Sequence, residues 1–229
     1  MTNPRSAIAV GMPPATATPW IQKPESQQVR AAWSQNSSTL PRVALYGAAG
    51  IGKTQIASAI FREQRESLDV ALWVTAHTLR HVISSYAAAA DSLGVTAASN
   101  TNSHSEEERA RSFLERLASA PRLDCLVVLD DLSIPDDQME SWWPPLGPGL
   151  RTLVTTRRPS SFMRSDHWVG VSVAVVTKES ATEFLRIAAP ENTRGQDPTV
   201  IEALSESSGG LPVTLQQIAS LLRSDGRSP

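Results

Sequence analysis

In a chain of 229 residues, 21 basic and 23 acidic side chains leave a formal net charge of −2, and no run of Lys or Arg builds the basic stripe of a dedicated nucleic-acid surface. The length allows a full α/β core with a small accessory unit, and no apolar run approaches membrane-spanning length. The single cysteine, Cys125, lies inside an apolar run, which excludes an intramolecular disulfide and fits a buried thiol in a reducing, cytoplasmic setting.

Residues 1–19 are rich in Pro, Ala and Thr and read as a disordered tail. Arg5, the apolar Ala7 to Met12 and an A-x-A at Ala15 to Ala17 imitate a signal peptide. The apolar part is too short, and Pro13 and Pro14 cut it, so secretion is not expected. A helix is expected from Trp20 to Trp33, with Val29, Ala32 and Trp33 on one face. Arg42-Val43-Ala44-Leu45-Tyr46 has the length and apolar character of a buried strand. A glycine-rich turn follows, and then Ile56, Ala57, Ile60 and Phe61 recur at helical spacing. Asp69 to Val74 predicts a second buried strand. Leu79, Val82, Ile83, Tyr86, Ala87, Ala90 and Leu93 trace a helical stripe that Gly94 ends.

The polar segment from Thr96 to His104 reads as a loop. Ser105 with Glu108 three residues later forms a capping box that opens a helix stopped by Pro121. A third strand runs from Cys125 to Leu129 into Asp130 and Asp131. A Pro-rich connection carrying Trp142 and Trp143, read as packing residues, leads to a fourth strand over Arg151 to Thr156. A fifth is expected over Trp168 to Val176. Beyond it only helices are predicted: one capped by Thr177, one opened by Asp197-Pro198 and ended by Gly209-Gly210, and one starting at Pro212. Alternating strands and helices followed by helices alone imply a parallel-sheet domain over 20–176 and a small helical domain over 177–229.

The turn between the first strand and its helix reads Gly47-Ala48-Ala49-Gly50-Ile51-Gly52-Lys53-Thr54, matching G-x-x-x-x-G-K-[ST], the phosphate-binding loop of nucleotide triphosphatases. In such a loop the glycines let successive backbone N–H groups point at phosphate oxygens. Lys53 would reach the β and γ oxygens and the Thr54 hydroxyl would ligate Mg²⁺. The strand, turn and helix around it are the setting the motif requires. The acidic end of the third strand supplies the second element: Asp130 to hold the metal and Asp131 to orient or deprotonate the attacking water. Thr155-Thr156-Arg157-Arg158 follows the fourth strand at its C-terminal end, where ligands sit in open α/β sheets. Arg157 is the first choice for sensing a γ-phosphate, Arg158 being as readily a surface charge. His77 and His81 stand four apart without a third ligand at matching spacing and read as solvated side chains.

Four ordered segments resemble one family. YGAAGIGKTQIA looks like the phosphate loop of the NB-ARC branch of the signal-transduction (STAND) NTPases, which includes plant disease-resistance receptors, apoptosome-forming ATPases and many bacterial regulators. Asp69 to Val74 is similar to that family's second strand with its Trp, LVVLDDL to its acidic strand and LVTTRR to its sensor strand. Gly210-Leu211-Pro212-Val213-Thr214-Leu215 resembles the GLPLAL motif of its helical domain, so that the likeness covers roughly 20–225. The resemblance implies a three-layer P-loop sandwich with sheet order 2-3-4-1-5, counting the phosphate-loop strand as the first. It also implies adenine packed against Pro212 and slow cycling between ADP-bound and ATP-bound states. The family's Gly-Arg-Glu adenine-side motif is absent, with Lys23-Pro24-Glu25 near its place, and Val213 and Thr214 replace Leu-Ala. No winged-helix segment follows Pro212–Pro229 in this sequence, so a module cut before that domain is expected.

The function expected is therefore an ADP/ATP-binding switch module with weak Mg²⁺-dependent hydrolysis, acting with protein partners or by self-association. Nucleic acid and membrane are not expected partners. Two other classes compete: a small-molecule phosphotransferase sharing the phosphate loop, and a non-catalytic remnant that binds ADP or nothing. A phosphotransferase would want an arginine-bearing lid, where this chain offers the GLPV segment; intact Lys53, Thr54, Asp130 and Arg157 argue against complete decay.

Overall fold

The apolar runs pair into one sheet, every neighbouring pair parallel. The computed structural model describes residues 8–19, 23–34, 39–95, 105–120, 123–190 and 197–225. In chain order the strands are β1 (Ile8–Val10), β2 (Arg42–Tyr46), β3 (Val70–Thr75), β4 (Cys125–Asp130), β5 (Leu150–Thr156) and β6 (Trp168–Ser172). They lie in the order β1-β3-β4-β5-β2-β6. The expected 2-3-4-1-5 order is the run from β3 to β6. A sixth strand adds to its β3 edge.

The continuous hydrophobicity of the central strands follows from helices covering both faces. Along β4, Val127 and Leu129 enter one core while Leu126 and Val128 enter the other. Tyr86 of α3 (Leu79–Ser92) and Phe113 and Leu117 of α4 (Glu106–Ser119) fill the first. Val29 of α1 (Glu25–Trp33) with Ile56, Ile60 and Phe61 of α2 (Lys53–Gln64) fill the second. The capping box at α4 forms as read, Ser105 and Glu108 exchanging backbone and side-chain hydrogen bonds. A short helix, α5 (Asp136–Met139), follows β4. Trp142 is buried, and Trp143 packs against Phe162 and Trp168 with ring centroids 4.9 and 5.0 Å away.

Three expectations need correction. The tail over 1–19 is not wholly unstructured: Ile8–Val10 pair with Val70–Leu72, giving the open edge of β3 a partner for its backbone groups. The helix expected from Trp20 starts at Glu25, because Pro24 at its N-cap disfavours helical geometry for the residue before it; positions 20–22 lie outside the described residues. The fifth strand ends at Ser172 instead of Val176. Its partner β2 stops at Tyr46, whose carbonyl accepts the Val173 N–H at 2.8 Å, and the chain then leaves the sheet. The polar segment 96–104 and Pro121 also fall outside the described residues.

After β6 come α6 (Lys178–Ala188), α7 (Pro198–Ser207) and α8 (Pro212–Asp225), which pack Phe184, Leu185, Ile201, Leu215 and Ala219 into a core of their own. Thr177 and Asp197 cap the first two as expected. Gly210 joins this unit to the sheet domain: its carbonyl accepts the Val176 N–H at 2.9 Å. It is left-handed (φ +67°), and a Cβ there would stand 2.6 Å from the Val176 carbonyl oxygen. Gly210→Ala is therefore expected to lower the unfolding free energy by about 1–3 kcal/mol, measured by denaturant titration, with strain and backbone displacement both contributing.

Candidate functional site

The phosphate-loop residues lie where β2 ends and α2 begins. Gly52 is the left-handed N-cap of α2, and Lys53 and Thr54 are its first residues. A helix N-terminus with unsatisfied N–H groups thus meets the cavity directly. Gly50 (φ +75°) makes the closest approach: a Cβ there would lie 2.6 Å from Cγ1 of Val213 on the helical unit. The Lys53 ammonium donates to the carbonyls of Gly47 and Ala48, each at 2.8 Å, so its side chain folds back over the loop. Burial pushes its pKa below the ordinary lysine value; Asp131 and Asp130 oppose the shift while Arg157 adds to it.

This lowered pKa has a measurable consequence. A bound polyphosphate would raise the pKa of Lys53, so binding takes up a proton in the pH window between the free-site and bound-site values. Affinity for ADP is expected to be flat near neutrality and to fall as pH climbs toward 10.5, the ordinary lysine value. Calorimetry in two buffers of different ionisation heat would detect the uptake, and Lys53→Arg, which stays charged, should abolish it.

The acidic end of β4 is held by hydroxyls. Asp130 is buried, and its Oδ1 accepts from the Thr54 hydroxyl at 2.8 Å and the Thr155 hydroxyl at 2.7 Å. The Thr155 hydroxyl in turn accepts the Asp131 N–H at 2.8 Å, and the Thr155 carbonyl accepts the Leu132 N–H at 2.8 Å. These bonds hold Asp131 in the left-handed region (φ +52°), unusual for a residue with a Cβ. Its carboxylate stands 3.7 Å from Nε of Arg157 and 3.5 Å from Nδ1 of His77. Arg158 does not line the cavity that Lys53, Thr54 and Arg157 share, but with Arg157, Asp131 and His77 it lines a second one.

Thr54 and Asp130 present the hard oxygens that Mg²⁺ prefers. Among the described residues no group of three or more His, Cys, Asp and Glu side chains could hold a metal ion alone. The pair therefore suits a cation that draws its other ligands from phosphate and water. The cavity itself measures about 330 Å³, within the usual range of small-molecule sites. Ala49, Gly50, Gly52, Lys53 and Thr54 line it, as do Asp131, Thr155 and Arg157. So do Pro212 and Val213 of the helical unit, and Ala17, Pro19 and Lys23. Gly47, Ala48 and Ile51 shape the loop behind it, Ile51 as a buried core residue.

Sequence reasoning left several of these residues without a role. Thr155 stood inside the quoted sensor segment, but its bridge between the two aspartates depends on β4 and β5 being neighbours. His77 was read as a solvated side chain; it remains half-exposed, yet faces Asp131. Lys23 is buried and donates to the Ala174 carbonyl at 2.5 Å, while Glu25 accepts the Ala174 N–H at 2.9 Å. Burial lowers the Lys23 pKa, with Glu25 opposing.

The family model for the NB-ARC domain matches residues 25–195, well over half of the chain. This chain belongs to the NB-ARC family. Solved structures agree on the fold. A signal-transduction ATPase with numerous domains (STAND) and a tetratricopeptide repeat sensor, from Pyrococcus horikoshii, superposes with a TM-score of 0.60 at 17% identity over 90% of this chain. Cdc6p from Pyrobaculum aerophilum does so at 0.61, 15% and 92%, and a RuvB Holliday junction branch migration motor from Thermotoga maritima at 0.54, 15% and 93%. At these identities the likeness is one of fold: a P-loop NTPase sheet with helices on both faces. The NB-ARC chain spans only 30%, 66% and 65% of those three proteins. No helix among its described residues is long and apolar enough to cross a membrane.

Proposed function

We propose that this NB-ARC chain is an ADP/ATP-binding switch module with weak Mg²⁺-dependent ATP hydrolysis, working in the cytoplasm through protein partners or self-association. One observation carries the reading: Lys53, Thr54, Asp131, Arg157 and Pro212 all border a single cavity. Lys53 and the loop N–H groups hold the β- and γ-phosphates. Thr54 and Asp130 hold Mg²⁺, which neutralises phosphate charge when bound. Asp131 orients the attacking water, and Arg157, 3.7 Å from it, is placed to feel whether a γ-phosphate is present. The helical unit over 177–229 serves as a lid, with Pro212 as its contact to the nucleoside. Val213 beside Gly50 supports that role, because a shift of the lid would be felt at the loop itself.

The test is chromatography of whatever nucleotide the purified, denatured protein releases, followed by turnover with ATP and Mg²⁺. Adenine nucleotide on release and slow phosphate production are the expected results. No adenine nucleotide, together with no ADP binding by calorimetry, would reduce the chain to an interaction remnant. Phosphate passing to a small-molecule acceptor would instead make it a phosphotransferase.

A further inference from the structure

The second cavity measures about 580 Å³ and is built from the segments that follow β3, β4 and β5 at their C-terminal ends. Asp131 and Arg157 line both cavities, so this pair, 3.7 Å apart, stands between the two spaces. His77, Ser133, Arg158 and Ser160 line the second alone. Hydrogen bonds between the three segments fix its rim. The Ser133 hydroxyl donates to the His77 carbonyl at 3.1 Å, tying the turn after β4 to the one after β3. The carboxylate of Asp136, the first residue of α5, accepts the Ser161 N–H at 2.9 Å and also the Ser161 hydroxyl. That ties α5 to the segment after β5.

The charges on these walls are unequally engaged. Two arginines face two aspartates, and both carboxylates have partners: Asp131 has Arg157 and His77, and Asp136 has Ser161. Arg158 is exposed, and among the described residues its guanidinium makes no hydrogen bond or ion pair. A permanently charged donor of this kind, beside an imidazole and two hydroxyls, suits a tetrahedral oxyanion. The balance of formal charge keeps such binding weak, as suits an ion that must leave again. In the proposed hydrolysis the water oxygen bonds to the γ-phosphorus, the bond to the β–γ bridging oxygen breaks, and ADP, inorganic phosphate and a proton result. The phosphate would be freed beside Asp131 and Arg157, at the boundary of the two cavities, with ADP still in the first. We propose that the second cavity is a product site: it takes the cleaved inorganic phosphate, with Arg158 as its charged partner, while ADP remains bound. This rests on the nucleotide reading of the first cavity and gives the phosphate a way out that does not pass the nucleoside.

The experiment uses inorganic phosphate as the probe on the full chain saturated with ADP, so that the phosphate loop is already filled. Equilibrium dialysis with radiolabelled phosphate should show the ion binding in the millimolar range, and ADP should stay bound as phosphate is added. Arg158→Gln should weaken phosphate about three- to tenfold and leave ADP affinity within about twofold of the parent's, because Arg158 lines only the second cavity. Ser160→Trp, which fills space in that cavity without changing charge, should weaken phosphate by a similar factor. Three results would overturn the product site while the nucleotide reading stands: no phosphate on the ADP-loaded chain, phosphate that binds only by displacing ADP, or phosphate affinity that neither variant changes. If the parent binds no ADP, the nucleotide reading fails and the product site with it.

Discussion

Replacing Lys53 with alanine is expected to weaken ADP binding roughly ten- to a hundredfold. A charge-assisted hydrogen bond contributes about 1.5–3 kcal/mol, and each 1.4 kcal/mol is a factor of about ten in affinity. The ammonium is already held at the loop by the Gly47 and Ala48 carbonyls at 2.8 Å, so little ordering entropy opposes its use. The fold should tolerate the change. Burial disfavours the charged form of Lys53, and its removal relieves that desolvation. The two effects separate in one pair of measurements: the unliganded thermal midpoint should stay within a few degrees of the parent, while the rise produced by ADP should largely vanish. Equal ADP affinities in calorimetry would remove Lys53 from the site.

The second large effect is expected at the two aspartates, and it should differ between them. Asp130→Asn keeps the side-chain shape and one acceptor oxygen for the Thr54 and Thr155 hydroxyls, but removes the charge that would hold Mg²⁺. ATP hydrolysis should fall on the order of a hundredfold, and the gain in nucleotide affinity on adding Mg²⁺ should disappear. Asp131→Asn should lower turnover while leaving ADP affinity and its Mg²⁺ dependence near the parent's, because in the proposed function Asp131 would act on the water and not on the cation. Its neighbours sharpen the contrast. With Arg157 and His77 3.7 and 3.5 Å away, loss of the charge also frees both side chains. Single-turnover phosphate release with and without Mg²⁺ measures both variants. An Asp131→Asn protein with parental turnover but lost Mg²⁺ dependence would exchange the two roles.

What could be read without the structure was what short stretches of chain decide for themselves. Strand-length apolar runs at Arg42–Tyr46 and Cys125–Leu129 announced strands, because a strand covered on both faces needs hydrophobicity at consecutive positions. The Gly47–Thr54 spacing announced a loop and a helix start, and Ser105 with Glu108 announced a cap, because the interacting groups are three residues apart. The sheet order from β3 to β6 came from family resemblance carried by four such local segments, and not from any pairing signal in the residues.

The assembly of the site was decided elsewhere. Ala17 reaches Gln55 across 38 positions, and Thr155 reaches Asp130 across 25. Lys23 and Glu25 clamp the Ala174 backbone from 151 and 149 positions away. None of these pairs has a spacing that periodicity or capping could expose. Composition even argued the wrong way for the N-terminal segment, where Pro and Ala suggested a tail. Proline carries no N–H, yet its carbonyl is a full acceptor, and Arg62 and Ser58 on a helix formed by other residues supply the donors. Local chemistry thus determined which residues could bind a phosphate. Only the folding of a parallel sheet, which stacks the C-terminal ends of distant strands side by side, brought them, Ala17 and Pro19 of the N-terminal segment and the helical unit to one cavity.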